Sequence, residues 1–534
     1  MNRKFDYIII GAGAAGCVVA NRLSEQADVS VLLLEAGGRD WSPLLKIPAG
    51  FAKLMGTKVN WLFTTEPQQH MSDRRMFLPQ GKVLGGSTSI NAMLYIRGNR
   101  HDYDEWRDLG NKGWGFDDVL PYFKKSEDNQ RLADEYHGVG GPLAVSDQIQ
   151  RNPMSDVFVR AAQQAGIAYT ADPNGAEQDG VFYNQVTQRA ARRESASTAF
   201  LNPVKDRPNL RVATSATVRR IVVRDGRAVA VEFEHKGTRR TVGATREIIL
   251  SAGAINSPRL LMLSGIGDAA ELGEVGVKPV HHLPGVGKNL HDQLEVFITA
   301  RVNQPVTYDG QDRWHRAALH AIQYGLYRTG PATATVSEAG AFLRSDETVR
   351  SPDIQLHMQP AFVVWHEGTS KIQRLPGHGI TILACNTRPK SRGEVRLKSA
   401  DPDEPPIVNP NYLANPDDMR IALAGFKWIR RILATPAFAP YVDSELMPGK
   451  GVTTDDQIRD YIRRTGGTDY HPVGTCKMGN DETAVVDDQL RVRGLEGLRV
   501  IDASIMPSII SGNTQAPAYM IGEKGAAMIA TSAH

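Results

Sequence analysis

Residues 468–479, TDYHPVGTCKMG, set one imidazole, His471, ahead of a proline in a glycine-bordered loop. No metal-ligand spacing surrounds it and no nucleophile elbow precedes it. Proton transfer is the chemistry left to a histidine so placed, because an ordinary pKa of about 6.5 keeps a neutral, basic ring available near working pH. Pro472 stiffens the backbone that holds the ring. Further on, SGNTQAP carries Asn513, whose amide can donate a hydrogen bond to an oxygen as negative charge develops on it. Asn513 also reads as the N-cap of a helix beginning NTQAPAYMIGEKGAAMIA. The sequence has no HExxH and no CxxC, and His281 and His282 are adjacent, so no metal is expected.

A lone histidine is more often structural than catalytic, and its role depends on what the chain binds. At the other end, FDYIII is an apolar run of strand type entering GAGAAG, where Gly11, Gly13 and Gly16 have dinucleotide-binding spacing. A helical stretch, AAGCVVANRLSEQ, follows, and VSVLLLE returns as a second buried strand ending at Glu35. The glycines permit a tight turn, close approach of backbone to pyrophosphate, and helix-on-strand packing. The helix N-terminus supplies N–H groups for phosphate. Glu35 can accept hydrogen bonds from adenosine ribose hydroxyls, and its charge disfavours a 2′-phosphate, hence NADP.

Three further segments choose the dinucleotide. GKVLGGSTSINAMLYIRGN (Gly81 to Asn99) is rich in small residues and lacks a helical or strand period; by itself it reads equally as a loop lying flat against a planar ligand and as an ordinary surface loop with glycine turns. REIILSAGAINSPRLLMLSGIG repeats the strand–small-residue–helix pattern, and LRVIDASIMP ends a buried strand at Asp502. ATVRRIVVRDGRAVAVEFE reads as a hairpin turning at Asp225-Gly226.

Together these segments resemble the glucose–methanol–choline (GMC) oxidoreductase family, which uses FAD. Gly81 to Gly98 is similar to the family's first signature and GAINSPRLLMLSGIG to its second; HPVGTCKMG and IDASIMPSIISGNTQAP are similar to its C-terminal catalytic blocks. The resemblance runs from about residue 6 to about residue 530 and is weakest at 300–380. It implies a mixed α/β fold: a Rossmann-like FAD-binding domain with a discontinuous antiparallel-sheet substrate domain. Residues 1–300 carry the FAD domain with some substrate-domain insertions, 301–467 the substrate domain, and 468–534 return to the FAD domain. Within 301–467, DIQLHMQ and part of GITILACN read as half-buried strands of the sheet that walls the site, and Phe362 and Trp365 as either pocket or entrance groups or core residues.

The resemblance also implies site roles. His471 is the base and Asn513 its partner. The cofactor would touch Gly11, Gly13, Ala14, Ala15 and Gly16, then Glu35, Ala36 and Trp61. The first-signature loop adds Val83, Gly86, Ser87, Asn91 and Met93. Val218 would meet adenine through its backbone; Ser251, Ala252 and Gly253 follow. Asp502, Ala503, Asn513, Thr514 and Gln515 close the set. Members that tether FAD do so through a histidine immediately before the signature asparagine; here that position is Ile90, so FAD is expected to be non-covalent.

The expected reaction is oxidation of a primary alcohol to an aldehyde by hydride transfer to flavin N5. The similarity is greatest to bacterial dehydrogenases of aliphatic and polyethylene-glycol-type alcohols, then to choline dehydrogenases, which usually read Ser-Cys where this chain has Val473 and Gly474. Electrons would pass to a quinone or other acceptor. Choline dehydrogenase and oxygen-using alcohol oxidase stay open as alternatives, as does a flavin-containing hydroxynitrile lyase, which performs no net redox reaction.

The totals narrow the setting. At 534 residues, two interlocked domains are expected. A hydrophobic fraction of 41% with 23% charged residues fits a soluble globular chain, and a net charge of only +3 leaves no dedicated nucleic-acid surface. Cys17, Cys385 and Cys476 are odd in number and widely spaced, which points to a reducing compartment and the cytoplasm. Peripheral membrane contact through a modest apolar patch is compatible with this composition.

Overall fold

The computed structural model describes residues 4–335, 337–365, 372–373 and 375–532. The apolar runs of the sequence become the centre of a seven-stranded sheet. Lys4–Ile10 lies between Val31–Leu34 and Thr238–Leu250, with Leu210–Ala213 outside the former and Leu498–Val500 beside the latter, all parallel. Strands covered on both faces must be continuously hydrophobic, as IIII-type runs are. Arg227–His235 and Ala216–Arg224 extend the sheet antiparallel. Their turn has Asp225 at φ 49° and Gly226 at φ 74°, the left-handed pair that the hairpin required.

Helix Ala14–Leu23 covers one face, and the C-terminal helix Gln515–Ser532 packs directly on it. Small residues permit this approach: a Cβ on Gly522 would stand 2.9 Å from Val18 Cβ and 3.0 Å from Ala15 Cα. Buried Glu523 ties the pair together, accepting from Arg22 at 2.7 Å. The last strand and last helix therefore complete a unit that the first residues begin.

A second seven-stranded sheet, antiparallel, takes Gly180–Tyr183, Ala339–Leu343, Ile354–Gln359, His378–Asn386, Leu294–Val302 and Val442–Met447 in spatial order, with Gly467–Thr468 beside Leu294–Val302. Every residue of Ile354–Gln359 is buried, as is nearly all of His378–Asn386. These strands are not half-buried, as their alternation suggested. One face, with Ile354, Leu356 and Met358, packs under the helices Pro153–Gln164 and Pro416–Leu433. The polar face, Gln355, His357 and Gln359, turns instead towards the first sheet and an interior cavity. The period-two signal separated core from cavity, not core from solvent.

Overpacking a close helix contact costs about 1–3 kcal/mol. Gly522→Leu is therefore expected to lower the unfolding midpoint, whereas Gly451→Ala, with nothing within 4 Å of an added Cβ, leaves it unchanged in the same thermal scan.

Candidate active site

Between the two sheets lies a cavity of about 1790 Å³. Its walls include Gly11, Glu35, Ser251 and Asp502, which stand just beyond the carboxyl ends of four parallel strands, the usual ligand position in open α/β sheets. His471, Asn513, His357 and Glu295 line the same cavity.

The ring of His471 is held from behind. Gln293 donates through its Nε2 to the carbonyls of Thr387 (3.0 Å) and Ile510 (2.9 Å), which fixes its Oε1 as an acceptor. That oxygen lies 2.7 Å from His471 Nδ1, with Asp469 Oδ2 at 3.4 Å from the same nitrogen. An acceptor pair at Nδ1 requires the proton to sit there, so Nε2 keeps its lone pair. The backbone N–H of His471 donates to Asp292 at 2.8 Å. Asp292 also accepts from Thr468 and from the Tyr412 hydroxyl. Tyr470, the preceding residue, is left-handed at φ 65°, a conformation uncommon outside glycine and frequent at functional sites.

Burial pushes the His471 imidazole below its ordinary pKa; the Asp469 carboxylate works against this and His357 with it. The ring is neutral at neutral pH. Burial drives Glu295 well above the usual carboxyl range, helped by the charges of Asp469 and Asp292, so it holds a proton. Burial raises Asp292 to about 6, although its hydrogen bonds oppose this.

Asn513 Nδ2 stands 3.2 Å from His471 Nε2, and its Oδ1 accepts from Gln355 at 3.1 Å. Its side chain is thus taken up by the site, and the helix starts only at Gln515. The expected N-cap role is not Asn513's. An oxygen placed between Nε2 and the amide could donate to one and accept from the other.

The cavity's other end fits FAD. A Cβ on Gly11 would meet the Ser251 carbonyl at 2.4 Å, so this turn must be glycine, while beside Gly13 nothing lies within 4 Å, leaving room for a pyrophosphate. Both oxygens of buried Glu35 accept backbone N–H groups, from Ala12 at 2.9 Å and Gly37 at 2.7 Å, and each retains a lone pair for a ribose hydroxyl. Burial lifts this carboxyl to about 7. Asp502 accepts from Gly253 N and Ser257 Oγ and thereby also pins the start of helix Gly253–Leu263. The ladder of Ala216–Arg224 bulges between Val218 and Arg220, at the cavity wall.

Nearly all the cofactor residues expected from sequence line this one cavity. Gly16 and Val83 stand behind it instead. Gly16 packs so closely on Gly11 that a Cβ would come within 2.0 Å of its carbonyl, and Val83 is buried with Leu45, Leu54 and Ile90. Val473 and Gly474, which separated the chain from choline dehydrogenases by sequence, also miss the cavity. Val473 is core, and Gly474, at φ 90°, backs onto the Asn289 carbonyl. Phe362 lines the cavity, its ring filling the space above Gly379; the side chain of Trp365 lies outside the described residues.

Several groups escaped the sequence reading. Gln293 and Asp292 precede strand Leu294–Val302 and carry no motif. His357 was detectable as a polar residue on the cavity face of DIQLHMQ; its Nε2 is buried, 3.5 Å from Asp469. Arg193 is buried behind Asn91, donating to its Oδ1 at 2.8 Å, and burial pulls the guanidinium down to about 9. Among the described residues no cluster of His, Cys, Asp and Glu could hold a metal ion.

A dinucleotide cradle facing a neutral, hydrogen-bonded imidazole across one cavity defines a cofactor-dependent oxidoreductase. Residues 5–295 and 389–522 match the N- and C-terminal models of GMC oxidoreductases, and the chain belongs to that family, whose members are flavin-dependent. It is 46% identical to an alcohol dehydrogenase [acceptor] of Pseudomonas putida, covering 98% of this chain and 95% of that one. To mitochondrial choline dehydrogenase of Mus musculus it is 41% identical over 98% and 89%. Among solved structures, pyridoxine 4-oxidase from Mesorbium loti superposes with a TM-score of 0.90 at 32% identity, covering 99% of each chain. An Aspergillus oryzae RIB40 formate oxidase gives 0.93 at 28%, over 100% and 99%.

In protein labelled with ¹⁵N at histidine, His471 should show a protonated Nδ1 and a bare Nε2, with a titration midpoint below 6.5. Asp469→Asn removes the charge that supports the imidazolium, so the midpoint should fall further; a rise would contradict the arrangement.

Proposed function

We propose that the chain oxidises a neutral primary alcohol to the corresponding aldehyde, with His471 as the base. One observation carries the reading: the bare Nε2 of His471 and the amide of Asn513 stand side by side on the cavity wall, 3.2 Å apart. A hydroxyl entering between them donates its proton to Nε2. Asn513 donates to the same oxygen as it becomes alkoxide-like, which lowers the barrier to losing the adjacent C–H. Bound FAD supplies the hydride acceptor. Gln293 and Asp469 then share the charge of the imidazolium through Nδ1–H, and Gln293's two carbonyl anchors keep the ring from turning away.

The neutral substrate is supported by the cavity wall at Pro360, Ala361, Phe362 and Val363, which offers apolar surface. The 46% identity to an acceptor-type alcohol dehydrogenase supports passage of electrons to a quinone or other acceptor in place of oxygen. Three free, buried cysteines support a cytoplasmic setting. FAD is held without a covalent bond: Ile90, at the tethering position, is a cavity-wall hydrocarbon with no nucleophile to offer.

Acid precipitation should release all flavin to the supernatant; yellow protein in the pellet would overturn the non-covalent reading. Anaerobic mixing with medium-chain, polyether, aromatic and quaternary-ammonium alcohols should bleach the flavin fastest with the first two, and a preference for choline would reverse the substrate assignment. The bleaching rate should rise with pH through a pKa below 6.5 and then level off, since only the deprotonated ring accepts. General-base catalysis contributes about 10²- to 10⁴-fold. His471→Ala should therefore slow bleaching by at least the lower figure while FAD content is unchanged, and near-native bleaching would remove His471 from its role.

A further inference from the structure

The two carbonyls that orient Gln293 lie in separate segments, and each is followed in the chain by a residue tied to one buried carboxylate. Thr387 precedes Arg388, and Ile510 precedes Ser511. Arg388 Nη1 donates to Asp102 Oδ1 at 3.0 Å. Ser511 donates to the same side chain twice, through its hydroxyl to Oδ1 at 2.9 Å and through its backbone N–H to Oδ2 at 2.7 Å. Asp102 is 1% exposed, and Ser511 is wholly buried.

Asp102 belongs to the first turn of helix Arg100–Asp108, where its Oδ2 also accepts from Asn99 N at 2.7 Å in a capping box. Capping accounts for that one bond. The other three leave the helix and reach the residues next to Gln293's anchors. Burying a charge is costly unless its partners are all in place, so the carboxylate fixes these partners together.

Through Arg388 and Ser511 it sets the spacing of the Thr387 and Ile510 carbonyls. That spacing aims the Gln293 amide, whose Oε1 lies against His471 Nδ1 at 2.7 Å. Ser511 is also the centre of a three-residue turn, with Gly512 N donating to the Ile510 carbonyl at 2.9 Å, and Asn513 comes two residues after it. Asp102, Arg388 and Ser511 stand outside the cavity wall, so they act on the site only through other groups. We propose that Asp102 is a positioning residue of the reaction, holding the amide of Asn513 and the anchors of Gln293 in register and thereby fixing the tautomer and aim of His471. The proposal rests on the reading of His471 and Asn513 as the pair that receives the alcohol hydroxyl.

Asp102→Asn keeps the shape but offers one acceptor oxygen, so on either flip its NH₂ group faces an N–H donor. Moving a reacting group by about 1 Å costs about 10²-fold. Anaerobic bleaching by the alcohol that reduces wild type fastest should therefore slow by at least about tenfold, with FAD content unchanged. In holoenzyme labelled with ¹⁵N at histidine, the variant's His471 should show a mixture of tautomers, which a helix merely weakened at its start would not produce. Combined with Asn513→Ala, the two losses of rate should come to less than their product. Glu105→Gln is the control: it also takes a carboxylate from Arg388 but leaves Ser511 untouched, and both readouts should match wild type. Should Asp102→Asn fail to fold, Ser511→Ala removes one arm of the same link and should move both readouts in the same direction. Near-native bleaching, an unmixed His471 signal, losses that multiply in full, or an equal loss in Glu105→Gln would each overturn the proposal. If no alcohol bleaches wild type, the alcohol reading falls, and the tautomer signal alone decides whether Asp102 positions the ring.

Discussion

The hydrogen bond between His471 Nδ1–H and Gln293 Oε1 is the constraint around which the site is arranged. An imidazole free to rotate or tautomerise presents lone pair and N–H alternately; this one presents only the lone pair. The fixing propagates outward. Gln293 is oriented by carbonyls from two separate segments, Thr387 and Ile510, and His471's backbone is tied to Asp292. The second sheet, the loop after it and the C-terminal block must all be in register before the ring points the right way.

The electrostatics around that bond are divided in the same manner. Against burial, the charges of His471 and His357 hold the Asp469 carboxyl below its usual range, so it stays charged beside Nδ1, while burial keeps Glu295 neutral close by. One charged and one neutral buried carboxyl group leave the resting ring unprotonated, since burial outweighs the single charge of Asp469. At Asn91, elsewhere on the cavity wall, the buried Arg193 guanidinium donates to Oδ1 and so fixes that amide from behind.

How much of this was legible in sequence follows from the range of each signal. The glycine turn, the strand ending at Glu35 and the Asp225-Gly226 hairpin are local: their geometry is written in adjacent residues, and the structure reproduces them. His471 and Asn513 were legible because each lies in a long motif. Gln293 was not, because its partners, Thr387, Ile510 and His471, are far away in the chain and only the fold brings them together. The alternation in DIQLHMQ marks a strand of the sheet that walls the site, as the fold has it, but the strand is buried throughout where half-burial was expected; periodicity reports that two faces differ, not what covers each. Val473 and Gly474 taught the opposite lesson. They adjoin His471 in sequence and depart from the choline dehydrogenase pattern, whereas in the fold Val473 packs in the core and Gly474 against the Asn289 carbonyl, so neither reaches the cavity.

The placement of Leu498–Val500 and helix Gln515–Ser532 beside elements from the first and middle parts of the chain has a consequence for biogenesis. The nascent chain can pair Lys4–Ile10 with Val31–Leu34 early, but one flank of Thr238–Leu250 and one side of helix Ala14–Leu23 stay uncovered until Leu498–Val500 and Gln515–Ser532 have been made. Contacts of such sequence separation form late and slowly. A product that stops before these elements would therefore expose apolar surface on a unit whose glycine turn and Glu35 strand are already made, and quality control that recognises that surface would remove it.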